Sequence, residues 1–312
     1  MKILLAVDGS DASMSAVAAT AALSMPADST IEVVSVIPDS FAPEGSPWPH
    51  VIRVDPPTDR DRVHDDVARR LLDVADRVRT GETHTEVRVL DGRPATEIVT
   101  EAARIGADLI VMGARGLSAV RRLLLGSVSS EVVDHAPCPL LVARHAGVER
   151  VMLATDGSPG AASAADFIAE SGLLDEARIR IISVVDPGMP WWTGISPVDG
   201  MTSIEVYADA VEIAKHRAQS AADKAAERLR ERHVEDALAL SDGDVVGTIL
   251  DDAEAWRADV IVLGARDIGT VHRWLVGSVS RSVLHLAGAS VLITRPRAAV
   301  AHPEEQAVAA TA

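Results

Sequence analysis

The chemical signal of this chain lies in a run of glycines around one helix start. Gly113 closes the apolar run DLIVMG (108–113); Gly116 follows after two residues, and Gly126-Ser127 after nine more. Glycines so placed let the backbone approach a ligand closely. Gly126-Ser127 opens a helical segment, with Ser127 the expected N-cap. The first turn of a helix carries N–H groups without intrahelical partners, and with the positive end of the helix dipole these form an anion site. Arg115, Arg121 and Arg122, between the glycines, add local positive charge. A phosphate-bearing ligand fits this set. Asp8-Gly9-Ser10 ends a second apolar run, KILLAV (2–7). A carboxylate there would repel phosphates, so Asp8 fits better as an acceptor for the hydroxyls or amide of a ribose or base. Val36, near the end of IEVVSVI (31–37), offers a base an apolar wall. Taken singly, each feature has a plainer reading: Asp-Gly-Ser as a turn, Gly-Ser as a helix start.

Other chemistries find less support. The only lysines are Lys2, Lys215 and Lys224, and none follows a glycine. A phosphate loop of the G-x-x-x-x-G-K-[ST] kind is therefore excluded. The ten histidines show no H-x-x-x-H spacing, so no metal site is expected. The single cysteine, Cys138, rules out an intrachain disulfide and a Cys-rich zinc site. Between Pro137 and Pro139 it reads as a small buried apolar residue. The formal net charge of −16 argues against nucleic-acid or anionic-membrane partners bound through bulk charge. No apolar run approaches the 18 residues of a membrane span, and the N-terminus lacks the features of a secretory peptide. The expectation is a cytoplasmic protein.

The elements that must position these residues occur twice. KILLAVDGSDASMSAVAA at 2–19 returns as RVMLATDGSPGAASAADF at 150–167. DLIVMGARGLSAVRRLLLGSVSSEVV at 108–133 returns as DVIVLGARDIGTVHRWLVGSVSRSVL at 259–284. The offset is 148 from Asp8 to Asp156 and 151 from Gly113 to Gly264. One unit has been duplicated, and the expected division is 1–146, 147–297 and a disordered tail at 298–312. Each half alternates apolar strands with helices, which implies a parallel sheet covered on both faces: an α/β, doubly wound fold. Two long connections, 38–57 with six prolines and Trp48 and 186–200 with Trp191 and Trp192, follow the second strand of each half. They are candidates for ligand covering or assembly, or plain surface segments. PLLVAR (139–144) and ASVLITR (289–295) end their halves as edge strands. Unprotected apolar edges invite pairing, so these two are expected side by side and antiparallel.

The spacing Gly113-x2-Gly116-x9-Gly126-Ser127 resembles the nucleotide motif of the universal stress protein family, G-2x-G-9x-G(S/T). The opening AVDGS, the SVI of the second strand and the closing GSVSSEVV…APCPLLVAR resemble that family too, in order and in two tandem copies. The resemblance implies two five-stranded parallel sheets of order 3-2-1-4-5, adenine nucleotide alpha hydrolase-like, and ATP binding, with magnesium, in members carrying the glycine motif. It implies that Asp8 and Val36 meet base and ribose, and that Gly113, Gly116, Gly126, Ser127 and Val128 hold the phosphates. The second-half matches are Asp156, Val184, Gly264, Gly277, Ser278 and Val279. One position departs: Asp267 stands where the second glycine is expected. The resemblance also implies dimers through the last strand, so a homo-oligomer is expected, with protein partners unnamed. The primary reading is an ATP-binding regulator of the stress response. An ATPase or phosphotransferase, and a scaffold with vestigial pockets, are the alternatives.

Overall fold

The computed structural model describes residues 1–38, 56–114, 125–186, 200–240, 244–267 and 274–295. The first half runs β1 (Lys2–Ala6), α1 (Asp11–Ala22), β2 (Thr30–Ile37), α2 (Pro56–Val78), β3 (His84–Asp91), α3 (Pro94–Ile105), β4 (Leu109–Gly113), α4 (Ser127–His135) and β5 (Leu140–Ala143). The second half runs β6 (Arg150–Ala154), α5 (Pro159–Glu170), β7 (Arg178–Val184), α6 (Gly200–Arg228), β8 (Val234–Leu240), α7 (Val245–Trp256), β9 (Val260–Gly264), a two-residue ribbon β10 (Arg266–Asp267) and β11 (Trp274–Leu275), α8 (Ser278–Leu286) and β12 (Ser290–Thr294). The strands β1, β4, β6 and β9 are apolar almost throughout, because helices cover both of their faces.

Each half has the expected strand order 3-2-1-4-5. The two sheets are nonetheless one, ordered β3-β2-β1-β4-β5-β12-β9-β6-β7-β8. Pairing is parallel throughout except at the centre, where β12 runs antiparallel to β5 with Leu292 opposite Leu141. The edge strands that the sequence marks as exposed therefore shield each other. Helices α1, α2, α5 and α6 cover one face, and α3, α4, α7 and α8 the other. Both hydrophobic cores run unbroken across the two halves and consist mainly of Ala, Val, Leu and Ile. The segments 39–55 and 187–199, with their tryptophans, and the expected tail at 298–312 lie outside the described residues.

A reciprocal pair of arginines fastens the central seam. Arg144, one residue beyond β5, donates to the carbonyls of Leu284 and Ala287 at the end of α8. Arg295, one residue beyond β12, donates to the carbonyls of Val133 and Ala136 at the end of α4. The last carbonyls of a helix lack intrahelical partners and carry partial negative charge. Each half thus caps a helix of the other with a cation.

Under the α3 and α7 layer each half holds an ion network, and the charges contributed by the strands are reversed between the two. In the first half Glu32 of β2 and Glu101 of α3 are both buried. Glu101 accepts from Arg88 at 2.8 Å and from Arg104 at 2.6 Å and 2.9 Å. Glu32 and Glu101 share a hydrogen bond, which requires a proton on one of them. Burial, with the neighbouring carboxylate, pushes Glu32 up to about 7. The hydrogen bond from Arg104 holds Glu101 down at about 2. In the second half Arg180 of β7 takes the place of Glu32. It donates to Asp236 of β8 at 2.7 Å and to Asp252 of α7 at 3.1 Å, and lies 5.1 Å from the Trp256 ring centre.

Candidate functional site

Strand register brings the first-half candidates to one edge. Ala6 pairs with Val34 on β2 and with Met112 on β4. Two residues further on, Asp8 and Val36 are level, beside Gly113 and Ala114, at the carboxyl ends of the strands. This is the edge where open α/β sheets bind ligands. Gly113 is there because nothing larger fits: a Cβ on it would lie 2.5 Å from the carbonyl of Ala12 and 2.8 Å from the Ser13 nitrogen. The absence of that Cβ lets the first turn of α1 sit directly against the end of β4. Asp8 is exposed. Its Oδ1 accepts from the Ser10 nitrogen at 3.0 Å and from Ser10 Oγ at 2.6 Å, an Asx-type turn that leads into α1. Its Oδ2 has no partner among the described residues.

The other side of the site is the start of α4. The Gly126 nitrogen donates to the Ala114 carbonyl at 2.9 Å, so the chain returns from residue 115 onward to the strand end it left. The expected N-cap requires a correction. Gly126 is the cap, with φ −68° and ψ 158° and no side-chain capping bond, and Ser127 is the first helical residue. The Ser127 side chain is exposed, whereas Val128 packs partly buried on the core. The serine that ties this turn down is Ser129, whose buried hydroxyl donates to the Gly113 carbonyl at 2.9 Å. Gly116 and the three loop arginines, Arg115, Arg121 and Arg122, lie outside the described residues.

The second half repeats this geometry. Ala154 pairs with Ile182, which sets Asp156 level with Val184. Asp156 Oδ1 accepts from the Ser158 nitrogen at 2.9 Å. A Cβ on Gly264 would lie 2.2 Å from the Gly160 carbonyl, tighter still than at Gly113. Gly277 caps α8, Ser278 is its first residue, and Ser280 donates to the Gly264 carbonyl at 3.1 Å. Val279 is partly buried against the core, as Val128 is. Asp267 lies in the ribbon, its backbone opposite Trp274.

Ser129 and Ser280 were legible only as members of the repeated block GSVS; nothing in their spacing assigned them the bond to a strand-end carbonyl. The Arg144–Arg295 pair and the two ion networks gave no sequence signal at all. Cys138 is buried, and burial pushes its thiol up to about 12, which suits an inert core position. Among the described residues no group of three or more His, Cys, Asp or Glu could hold a metal ion. No described helix is long and apolar enough to cross a membrane.

A doubly wound repeat with a glycine-cradled strand end defines a class of nucleotide-type folds, and comparison narrows it. The universal stress protein family matches residues 1–144 and again 147–295, so the chain belongs to that family, with two tandem domains. It is 37% identical over 151 residues to a Thermus aquaticus protein, "Universal stress protein in QAH/OAS sulfhydrylase 3′ region", covering 46% of this chain and 97% of that one. A Mycolicibacterium smegmatis universal stress protein is 29% identical over 228 residues, covering 70% of this chain and 72% of its own. The crystal structure of a universal stress protein from Archaeoglobus fulgidus superposes with a TM-score of 0.62 at 22% identity, covering 95% of this chain and 98% of that one. At that identity the likeness speaks for the fold.

Proposed function

We propose that this chain is a cytoplasmic regulator that binds ATP at the carboxyl edge of its first half. Occupancy then biases its conformation, its self-association or its choice of protein partner under stress. The observation that carries the reading is the return of Gly126 to Ala114. It puts the first turn of α4, with its unpaired N–H groups, on the same edge as Asp8 and Val36. On this reading Asp8 Oδ2 and Val36 meet ribose and base, and the backbone of Gly113, Gly116, Gly126, Ser127 and Val128 holds the phosphates. Magnesium is expected to accompany the triphosphate.

In the second half the same roles fall to Asp156, Val184, Gly264, Gly277, Ser278 and Val279. Binding there is weaker, because the sequence supplies a carboxylate at Asp267 where the first half has Gly116. The units that act are 1–146 and 147–297. Turnover is slow, since the chain offers no phosphate-loop lysine and donors that already hold the ground state add little to the transition state.

Titration calorimetry on Gly126→Val tests the site. The valine side chain blocks approach of the phosphates, and ATP affinity should fall at least tenfold; unchanged affinity would discard the assignment. In the unaltered protein, steady ATP turnover above about 1 s⁻¹, within the usual enzyme range, would instead favour the ATPase reading.

A further inference from the structure

Helix α6 carries a cationic face that the fold does not require. Ile213, His216, Arg217, Ser220, Ala221 and Lys224 recur every three or four residues and so share one side of the helix. With Gly157, at the turn into α5, they line an open groove of about 350 Å³. That is the lower end of the size range for small-molecule sites. Ile213 is 52% exposed although apolar. Among the described residues Arg217 and Lys224 make no ion pair and no hydrogen bond, and no carboxylate lines the groove. Three of the helix's acids are engaged elsewhere, Glu212 with Lys215, Asp223 with Gln219 and Glu227 with Arg230, and Asp209, one turn before Ile213, is not part of the groove lining. His216 feels the charge of Glu212, but that carboxylate is bonded to the Lys215 ammonium. The nearest acid along the adjoining turn, Asp156, spends Oδ1 on the Ser158 nitrogen.

The duplicate helix shows that this is no consequence of the fold. Matching the buried positions Leu71, Val74, Ala75 and Val78 of α2 to Ala218, Ala221, Ala222 and Ala225 of α6 sets Asp66 opposite Ile213 and Asp73 opposite Ser220. On α2 the cations at these positions are thus interleaved with acids, and Asp66 pairs with Arg69. On α6 both acids are gone. In a chain of net charge −16, a groove with two cationic side chains, an imidazole, one hydroxyl and no carboxylate concentrates positive potential.

We propose that this groove binds a multiply charged phosphate compound. Arg217 and Lys224 would hold the phosphate, one as a planar fork and the other as a point charge. Ser220 donates a further hydrogen bond, and Ile213 with Ala221 packs an apolar portion. A single carboxylate would leave most of this charge unanswered, which is why the site points to phosphate. The proposal does not rest on ATP binding at the glycine motif.

The test titrates the full chain with two probes, inorganic pyrophosphate and phenyl phosphate. The double variant Arg217→Gln/Lys224→Gln changes side chains at the groove and keeps good helix formers. It should bind both probes at least tenfold more weakly, with one equivalent lost and the salt dependence reduced. Ile213→Ala should weaken phenyl phosphate alone, which marks an organic phosphate as the ligand; no weakening of either probe marks an inorganic one. Gly126→Val should leave the groove's equivalent in place. Pyrophosphate bound as tightly by the folded double variant as by the parent chain, or by neither, overturns the proposal.

Discussion

The two ion networks occupy the same place in the repeat, with opposite signs on their strand residues and an acid on the helix in both. Glu32 at the centre of the first is answered by Arg104, with Arg88 and Arg104 both holding its neighbour Glu101; Arg180 at the centre of the second is answered by Asp236 and Asp252. The fold fixes where a polar cluster can sit between the second strand and its covering helix, but it does not fix the sign. What is preserved is pairing, because an uncompensated charge at such a position is expensive. The solutions differ in quality. The first network shares a proton between two carboxylates. Among the described residues, the second leaves Arg180 Nε and Asp252 Oδ2 buried without a partner, a state that ordinarily costs about 1–3 kcal/mol per group.

The hardest test of this comparison removes the central cation. Arg180→Ala would leave Asp236 and Asp252 facing each other. Unfolding in urea should show a loss of about 3 kcal/mol, the low end for a broken buried pair, since the Asp236 side chain is 40% exposed. A loss below about 1 kcal/mol would mean that the network is not holding the helix. Combining Arg180→Glu with Asp236→Arg and Ala255→Arg, the last at the helix position that matches Arg104, transplants the first-half arrangement, and should recover most of what Arg180→Ala loses.

A smaller effect separates the two glycine loops. Asp267→Gly in a Gly126→Val background, which silences the first site, should tighten ATP binding in the second half by roughly tenfold. Two unit charges about 5 Å apart at an effective dielectric of about 20 repel by roughly 3 kcal/mol, and salt and solvent reduce this to about 1–2 kcal/mol. Weaker, magnesium-dependent binding in the variant would make Asp267 a ligand to the metal and reverse the comparison.

The smallest effect is in the proton. Glu32 titrates near 7 in the folded protein against 4.5 in the unfolded chain. Between these values the folded state holds a proton that the unfolded state lacks. Its contribution is therefore complete below about 4.5 and is lost as pH rises to about 7. Glu101, held at about 2, acts oppositely: its contribution is complete above 4.5 and is lost as pH falls toward 2. Glu32→Gln imitates the protonated form. It should change stability by under about 1 kcal/mol at pH 5 and flatten the decline between pH 5 and 7.5. An unaltered pH profile would place the shared proton elsewhere.

The strands and helices were legible because period and composition carry them. KILLAV and DLIVMG are apolar on both sides, and Val63, Val67, Leu71, Val74 and Val78 mark one face of α2. The glycine spacing marked the edge at which Asp8, Val36, Gly113 and Gly126 come together. The cap was misplaced by one residue because serine is the better N-cap in general, whereas here the Gly126 backbone is needed to rejoin Ala114. The networks were invisible for a different reason. Glu32 and Glu101 are 69 positions apart, and only strand register and helix docking bring them together. Arg144 and Arg295 likewise point across a seam that no local pattern encodes.

That seam also sets a schedule. β5 is finished at Ala143, but its central partner, β12, is complete only at Thr294, 151 residues later. At roughly 5–20 residues per second of synthesis, the first half waits about 8–30 s beside the ribosome with an open apolar edge and the end of α4 uncapped. The molecule is closed by nearly the last described residues to be made, at the middle of its sheet rather than at its rim. A chain ended anywhere between 145 and 289 would keep that edge for good, and should pair with a second copy of itself rather than persist as a quiet half.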